Sequence, residues 1–165
     1  MEIQNQESIS AAARIIVQSR YPIALVGAGL SVGSGIPTFR GAGGLWTKLG
    51  EPSNNGYENF LADPKVWWDQ NLNAKIDPER TKFREAIEKA KPNPGHLALV
   101  DLEKICVLKH QITQNIDNLH YVAGSKKITE IHGNRTKLRC VGCDMRWHRD
   151  EFDRITLDWK QTLPP

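Results

Sequence analysis

No apolar run in the chain exceeds four residues, so no segment reads as a membrane-crossing helix, which needs about 20. The opening Met1-Glu2-Ile3-Gln4-Asn5-Gln6-Glu7 lacks both basic residues and an apolar stretch, and does not read as a secretory leader. Internal repeats and low-complexity tracts are missing. Charge of one sign is scarce: 22 basic against 19 acidic residues leave +3, too small an excess to imply a nucleic-acid partner. Cysteine is rare, with three residues. That excludes a disulfide-built scaffold and, without a leader, predicts a reducing, cytoplasmic setting. What remains is ordinary globular material. At 165 residues, 39% hydrophobic and 25% charged, the chain suffices for one cored domain with a small insert.

Apolar spacing at Ile9, Ala12, Ala13, Ile16 and Val17 predicts a helix over 8–20, capped by Ser8 and stopped by Pro22. Ile23-Ala24-Leu25-Val26 reads as a buried parallel strand. Glycines at 27, 29, 33, 35, 41, 43, 44 and 50 make a long loop after it. Asp63-Pro64, Asp77-Pro78 and Asn93-Pro94 each place a cap before a proline and predict three helices. The second carries Phe83, Ile87 and Ala90 on one face. Ile105-Cys106-Val107-Leu108 reads as a second strand, with Cys106 a buried hydrophobe. A short helix over 118–123 and a third strand, Ile128–Ile131, follow. Lys137-Leu138-Arg139 and Met145-Arg146-Trp147-His148 predict a hairpin, and Asp150 a last helix through Trp159. Strands alternating with helices predict an α/β fold with a parallel sheet and right-handed crossovers.

In such sheets ligands bind beyond the carboxyl ends of the strands. Those ends carry Gly27-Ala28-Gly29, Thr113-Gln114-Asn115-Ile116-Asp117 and His132-Gly133-Asn134, three polar loops on one rim. Gly27 and Gly29 allow backbone N–H groups to approach a pyrophosphate, although the dinucleotide pattern breaks at Val32. Arg40 can pair with phosphate and Phe39 can cover a ring; a solvated arginine and a core phenylalanine explain them equally. Asn115 and Asp117 together can grip a carboxamide, while Asp117 alone can cap the next helix. His132 is the one histidine at a predicted strand end, where a general base would stand. His96 reads as a capping or packing residue; His110, His120 and His148 read as structural or exposed. Cys140-Val141-Gly142-Cys143 resembles half of a zinc knuckle. His148 offers a third ligand and no fourth is evident.

Taken together, Gly27-Ala28-Gly29-Leu30-Ser31, Ser34-Gly35-Ile36-Pro37, Phe39-Arg40-Gly41, Pro92-Asn93 with His96, Thr113 to His120 and Glu130-Ile131-His132-Gly133-Asn134 resemble the sirtuins, NAD-dependent protein lysine deacylases. The resemblance implies a partial Rossmann-like sheet over 1–50 and 92–134, a helical insert over 51–91, and the first half of a zinc-binding small domain over 135–165. It implies that Gly27, Ala28, Gly29 and Ser31 line the NAD phosphates and ribose, and that Phe39 and Arg40 belong to a mobile cofactor loop. Gln114 would contact the nicotinamide ribose, Asn115, Ile116 and Asp117 would hold nicotinamide, and His132 would be the base. Cys140 and Cys143 would be two of four zinc ligands. The partner would be an acylated-lysine protein, and NAD a consumed substrate yielding nicotinamide and acyl-ADP-ribose.

Two departures stand out. Thr38 occupies a place where many members carry aspartate. The family's second cysteine pair is expected next after Leu163-Pro164-Pro165, so the chain reads as an amino-terminal portion with an open sheet edge, or as a degenerate copy. The tyrosine and arginine of the desuccinylase branch align with Gln70 and Asn73. An NAD hydrolase or ADP-ribosyltransferase on the same scaffold, or a non-catalytic NAD or zinc-ribbon module, are the rival expectations.

Overall fold

The computed structural model describes residues 2–53, 55–73 and 77–151. Its elements run α1 (Glu2–Gln18), β1 (Ile23–Val26), α2 (Gly29–Val32), α3 (Leu45–Leu49), α4 (Gly56–Ala62), α5 (Pro64–Asn73), α6 (Pro78–Lys89), α7 (Pro94–Lys104), β2 (His110–Thr113), α8 (Leu119–Ala123), β3 (Ile128–Glu130), β4 (Lys137–Arg139) and β5 (Arg146–His148). They fall into two compact units. One runs from the start of the chain to Leu30 and resumes at Pro92; the other is Ser31–Lys91. No helix among the described residues is long and apolar enough to cross a membrane.

The first unit carries a parallel sheet in the order β1-β2-β3. Its register sets Val26 beside Thr113 and Thr113 beside Glu130, so all three strands end level. β1 is parallel as expected but is not a buried strand. Ile23 and Leu25 are exposed and only Val26 is buried: residues 23 and 25 alternate onto one face of the strand, which the described residues leave uncovered. α1 starts six residues before the expected Ser8. The Glu- and Gln-rich opening favours helix, so nothing stops propagation there.

Ile105–Leu108 is not a strand. Its amides close the carbonyls at the end of α7: Ile105 N–H donates to Asp101 O, Cys106 N–H to Glu103 O, and Val107 and Leu108 N–H to Leu102 O. Cys106 turns the chain at φ 60° and is exposed, contrary to the buried reading. The strand therefore opens at His110. A carboxylate locks β3 beside β2: Glu103 accepts from the backbone N–H groups of Lys126 (3.1 Å) and Lys127 (3.2 Å) and from Gln111 Nε2 (3.3 Å). Glu103→Ala takes the acceptor from the Lys126 and Lys127 amides together, while Gln111 Nε2 keeps Ser125 Oγ at 3.0 Å. The substitution is expected to lower the unfolding free energy by about 1–3 kcal/mol in a urea titration.

The Asx-Pro starts form as the local chemistry dictates. Asp77 accepts from Glu79 N–H at 2.7 Å, Asn93 from Gly95 N–H at 2.9 Å, and Asp63 from Val66 N–H at 2.9 Å. In the second unit α6 buries Phe83 and Ile87. Phe39 packs against Phe83 and Trp46, with ring centroids 5.1 and 4.7 Å away. Glu79 joins α3 to α6 through Lys48 (2.6 Å) and is bonded by Lys82 (2.8 Å). The hydrogen bonds from Lys48 and Lys82 hold its carboxyl down to about 2. The expected long glycine loop thus contains two short helices, α2 and α3. The hairpin β4–β5 forms antiparallel, Leu138 opposite Trp147. The helix expected from Asp150 to Trp159 falls almost wholly outside the described residues.

Candidate functional site

Level strand ends bring the first unit's three polar loops together. Gln114 N–H donates to Val26 O at 2.9 Å, and Asn115 Nδ2 donates to Gly27 O at 3.1 Å, tying the loop after β2 to the turn after β1. Asn115 N–H is received by the Thr113 hydroxyl at 3.0 Å. Ile131 N–H donates to Thr113 O and Arg135 N–H to Ile116 O, which ties in the loop after β3. Asn115 and Asp117 are buried although charged or polar, Ile116 is half-buried and Gln114 is exposed. Asp117 Oδ1 accepts from Leu119 N–H at 2.9 Å, so it does cap the next turn.

His132 stands exposed at this rim, its Nδ1 3.1 Å from Gln114 O. A carbonyl oxygen only accepts, so in this contact Nδ1 carries the proton and the neutral ring keeps its lone pair on Nε2. That is the tautomer a general base needs, oriented by a backbone group.

The turn after β1 closes with Leu30 N–H on Gly27 O at 3.1 Å, and Asn93 Nδ2 pins Leu30 O at 2.7 Å. Among the described residues, a Cβ added at Gly27 or Gly29 would meet nothing within 4 Å, and neither has a left-handed φ. The packing of the described residues therefore does not demand glycine at either place; a close-approaching ligand would. Ala28 between them is half-buried.

Ser31, Phe39 and Arg40 belong to the second unit. Ser31 is buried and its carbonyl accepts from Ser34 and Ile36 N–H. Phe39 sits half-buried in the aromatic cluster, as the core reading allowed. Arg40 is exposed but not merely solvated: Nε donates to Glu51 Oε1 at 2.7 Å and the guanidinium lies 4.7 Å from the Trp46 ring centroid.

Cys140 and Cys143 occupy the β4–β5 turn. Cys140 N–H donates to Met145 O at 2.8 Å and Asp144 takes φ 61° to close it. The amides of Cys143 and Gly142 point at the Cys140 sulfur and hold its thiol below the usual range. Two thiols on one turn, one of them made more acidic, suit zinc as donors. The set is partial, since among the described residues no group of three or more His, Cys, Asp or Glu is placed to hold a metal. His148 Nδ1 faces Asp150 Oδ2 at 3.3 Å instead.

His96 is fully buried at the third position of α7. Asn93 N–H donates to its Nδ1 at 3.3 Å and Asn93 Oδ1 accepts from its N–H, a complete capping box. His120 is buried beside it, ring centroids 5.2 Å apart. Two rim residues escaped sequence reasoning in their roles. Asn134 is a hub, its Nδ2 reaching Asn118 Oδ1 (2.8 Å) and Glu130 Oε1 while Oδ1 accepts from Thr136. Asn118 takes φ 69°, which asparagine tolerates better than most; that was the available signal.

This arrangement has relatives. Residues 27–162 match the Sir2 family. An NAD-dependent protein deacylase of Pyrococcus furiosus is 44% identical over 92% of this chain and 57% of its own length. An NAD-dependent protein deacetylase of Caldivirga maquilingensis is 43% identical over 82% of this chain and 49% of its own. Among solved structures, a Sir2 complex with a p53 peptide and NAD+ superposes with a TM-score of 0.60 at 32% identity, over 88% of this chain and 55% of that one. A mutant Sir2 homologue bound to ADP-ribose gives 0.60 at 37% identity, over 81% and 50%. The chain thus spans about half the length of the relatives it matches. The match runs from the glycine turn through the cysteine hairpin, over the same loops that the strand register brings to one rim, and the chain belongs to the Sir2 family.

Proposed function

We propose that this chain supplies the nucleotide rim and the general base of an NAD-dependent protein lysine deacylase. The observation that carries the reading is His132, held through Nδ1 on Gln114 O with Nε2 left basic, on a loop adjoining the Asn115–Gly27 bond. NAD is consumed as substrate. Gly27, Ala28, Gly29 and Ser31 would take its phosphates and ribose, with Phe39 and Arg40 from the cofactor loop. Gln114 would meet the nicotinamide ribose, and Asn115, Ile116 and Asp117 the carboxamide. The acyl-lysine carbonyl oxygen displaces nicotinamide at the ribose, and His132 then removes the proton of a neighbouring ribose hydroxyl so that the hydroxyl oxygen closes on the acyl carbon, from which the lysine amine later leaves. An acylated-lysine protein is the partner, and a reducing cytoplasm fits three free thiols. Structural zinc would take Cys140 and Cys143 with two further ligands.

The test is a mass-spectrometric assay with NAD and an acetyl-lysine peptide on the protein carrying this chain. Acetyl-ADP-ribose is the expected product. Free ADP-ribose alone would make it a hydrolase, and absence of both would remove the enzymatic reading. Acyl choice is read from the sequence: where the desuccinylase branch carries tyrosine and arginine, this chain has Gln70 and Asn73, neither of which is charged. A desolvated, unpaired carboxylate is costly, so kcat/KM for acetyl-lysine should exceed that for succinyl-lysine by about tenfold or more. A faster succinyl peptide would refute this.

A further inference from the structure

Arg40 is held twice. Its Nε donates to Glu51 at 2.7 Å and its guanidinium lies over Trp46 at 4.7 Å. The loop that presents it is fastened on itself: Leu45 N–H donates to Thr38 O, Trp46 N–H to Phe39 O and Gly44 N–H to Gly41 O. The Thr38 hydroxyl closes on Arg40 O at 2.6 Å. A Cβ at Gly44 would strike Phe39 O at 2.7 Å, and Gly41 and Gly43 take φ of 90° and 75°. Phe39 is anchored between Trp46 and Phe83. These contacts fasten the loop on itself in this conformation, and the anion on the guanidinium is the partner that a ligand would exchange.

That anion is a weak occupant. The Arg40 and Glu51 side chains are 67% and 61% exposed, and exposed pairs contribute little. A diphosphate offers more charge and more acceptor oxygens in the planar geometry that guanidinium prefers. We propose that Glu51 is an intramolecular stand-in for the nucleotide's diphosphate: it keeps Arg40 aligned over Trp46 and must leave when a diphosphate binds, so that it tunes affinity. The proposal rests on the reading that this loop meets NAD.

The test is calorimetric titration of ADP-ribose at low salt into the chain and into Glu51→Gln, each repeated in an Arg40→Ala background. Glu51→Gln is expected to bind about two- to fivefold tighter, the size an exposed pair allows, and to gain nothing once Arg40 is gone. Equal or weaker binding by Glu51→Gln would overturn the proposal, as would the same gain without Arg40. A parallel titration with inorganic pyrophosphate, read at the Arg40 Nε–H resonance, separates the exchange from the nucleotide reading. If no chain binds ADP-ribose, the NAD reading falls. The exchange still stands if Glu51→Gln lowers the pyrophosphate needed to move that resonance, and falls if it does not.

Discussion

Replacing His132 with alanine is expected to cut deacylation turnover by roughly 10²–10⁴-fold while leaving NAD affinity within a few-fold. The asymmetry follows from what the imidazole touches. Among the described residues its one polar contact is Nδ1 on Gln114 O, and the ring is exposed, so its loss opens no cavity. Gln114 stays placed without it, because its N–H is bonded to Val26 O within the sheet-end frame. On the proposed reading, what disappears is a base whose lone pair acts only while a hydroxyl proton is leaving. Steady-state kinetics with acetyl-lysine peptide and calorimetry with NAD together check it. Turnover within tenfold of the parent would remove His132 from the chemistry. A large loss of NAD affinity would instead assign it to binding.

The chain's local chemistry was legible, and so was the rim. Asp77-Pro78 and Asn93-Pro94 begin helices by contacts two and three residues away, which no tertiary context needs to supply. The three strand-end loops were readable because parallel strands in register bring their carboxyl ends level. Ile105–Leu108 misled because four apolar residues serve a strand and a helix-closing turn equally well; the deciding interactions are amides folding back on α7 carbonyls. Arg40 was left open between ligand and solvated residue because its partner, Glu51, lies across a loop whose closure depends on Gly41 and Gly43. The tautomer of His132 was out of reach for a similar reason, since it is set by the carbonyl of a residue on another strand end.

Acid should destabilise the first unit through its buried histidine pair. Among the described residues His96 Nε2 and both ring nitrogens of His120 are buried without a hydrogen-bond partner. Burial pushes both imidazoles below their ordinary range; His96 lowers His120 further, while Asp117 pulls both up and Glu130 pulls His120 up. The unfolded chain, with histidines near 6.5, then binds more protons than the folded one at mildly acid pH. Stability is complete above about pH 6.5 and drains as pH falls through the lowered folded values, by at most about 1.4 kcal/mol per pH unit for each histidine. Urea denaturation between pH 7.5 and 5 reads this slope. Single substitutions divide the pair. His120→Phe keeps the ring contact with His96 and removes two orphaned nitrogens, so it should be neutral or stabilising at pH 7 and should flatten the acid slope. His96→Phe flattens the slope too, but leaves Asn93 N–H without its acceptor and breaks the capping box, costing about 1 kcal/mol at pH 7. An unchanged slope in His120→Phe would show that its imidazole is already partnered in solution, and that acid sensitivity lies elsewhere in the unit.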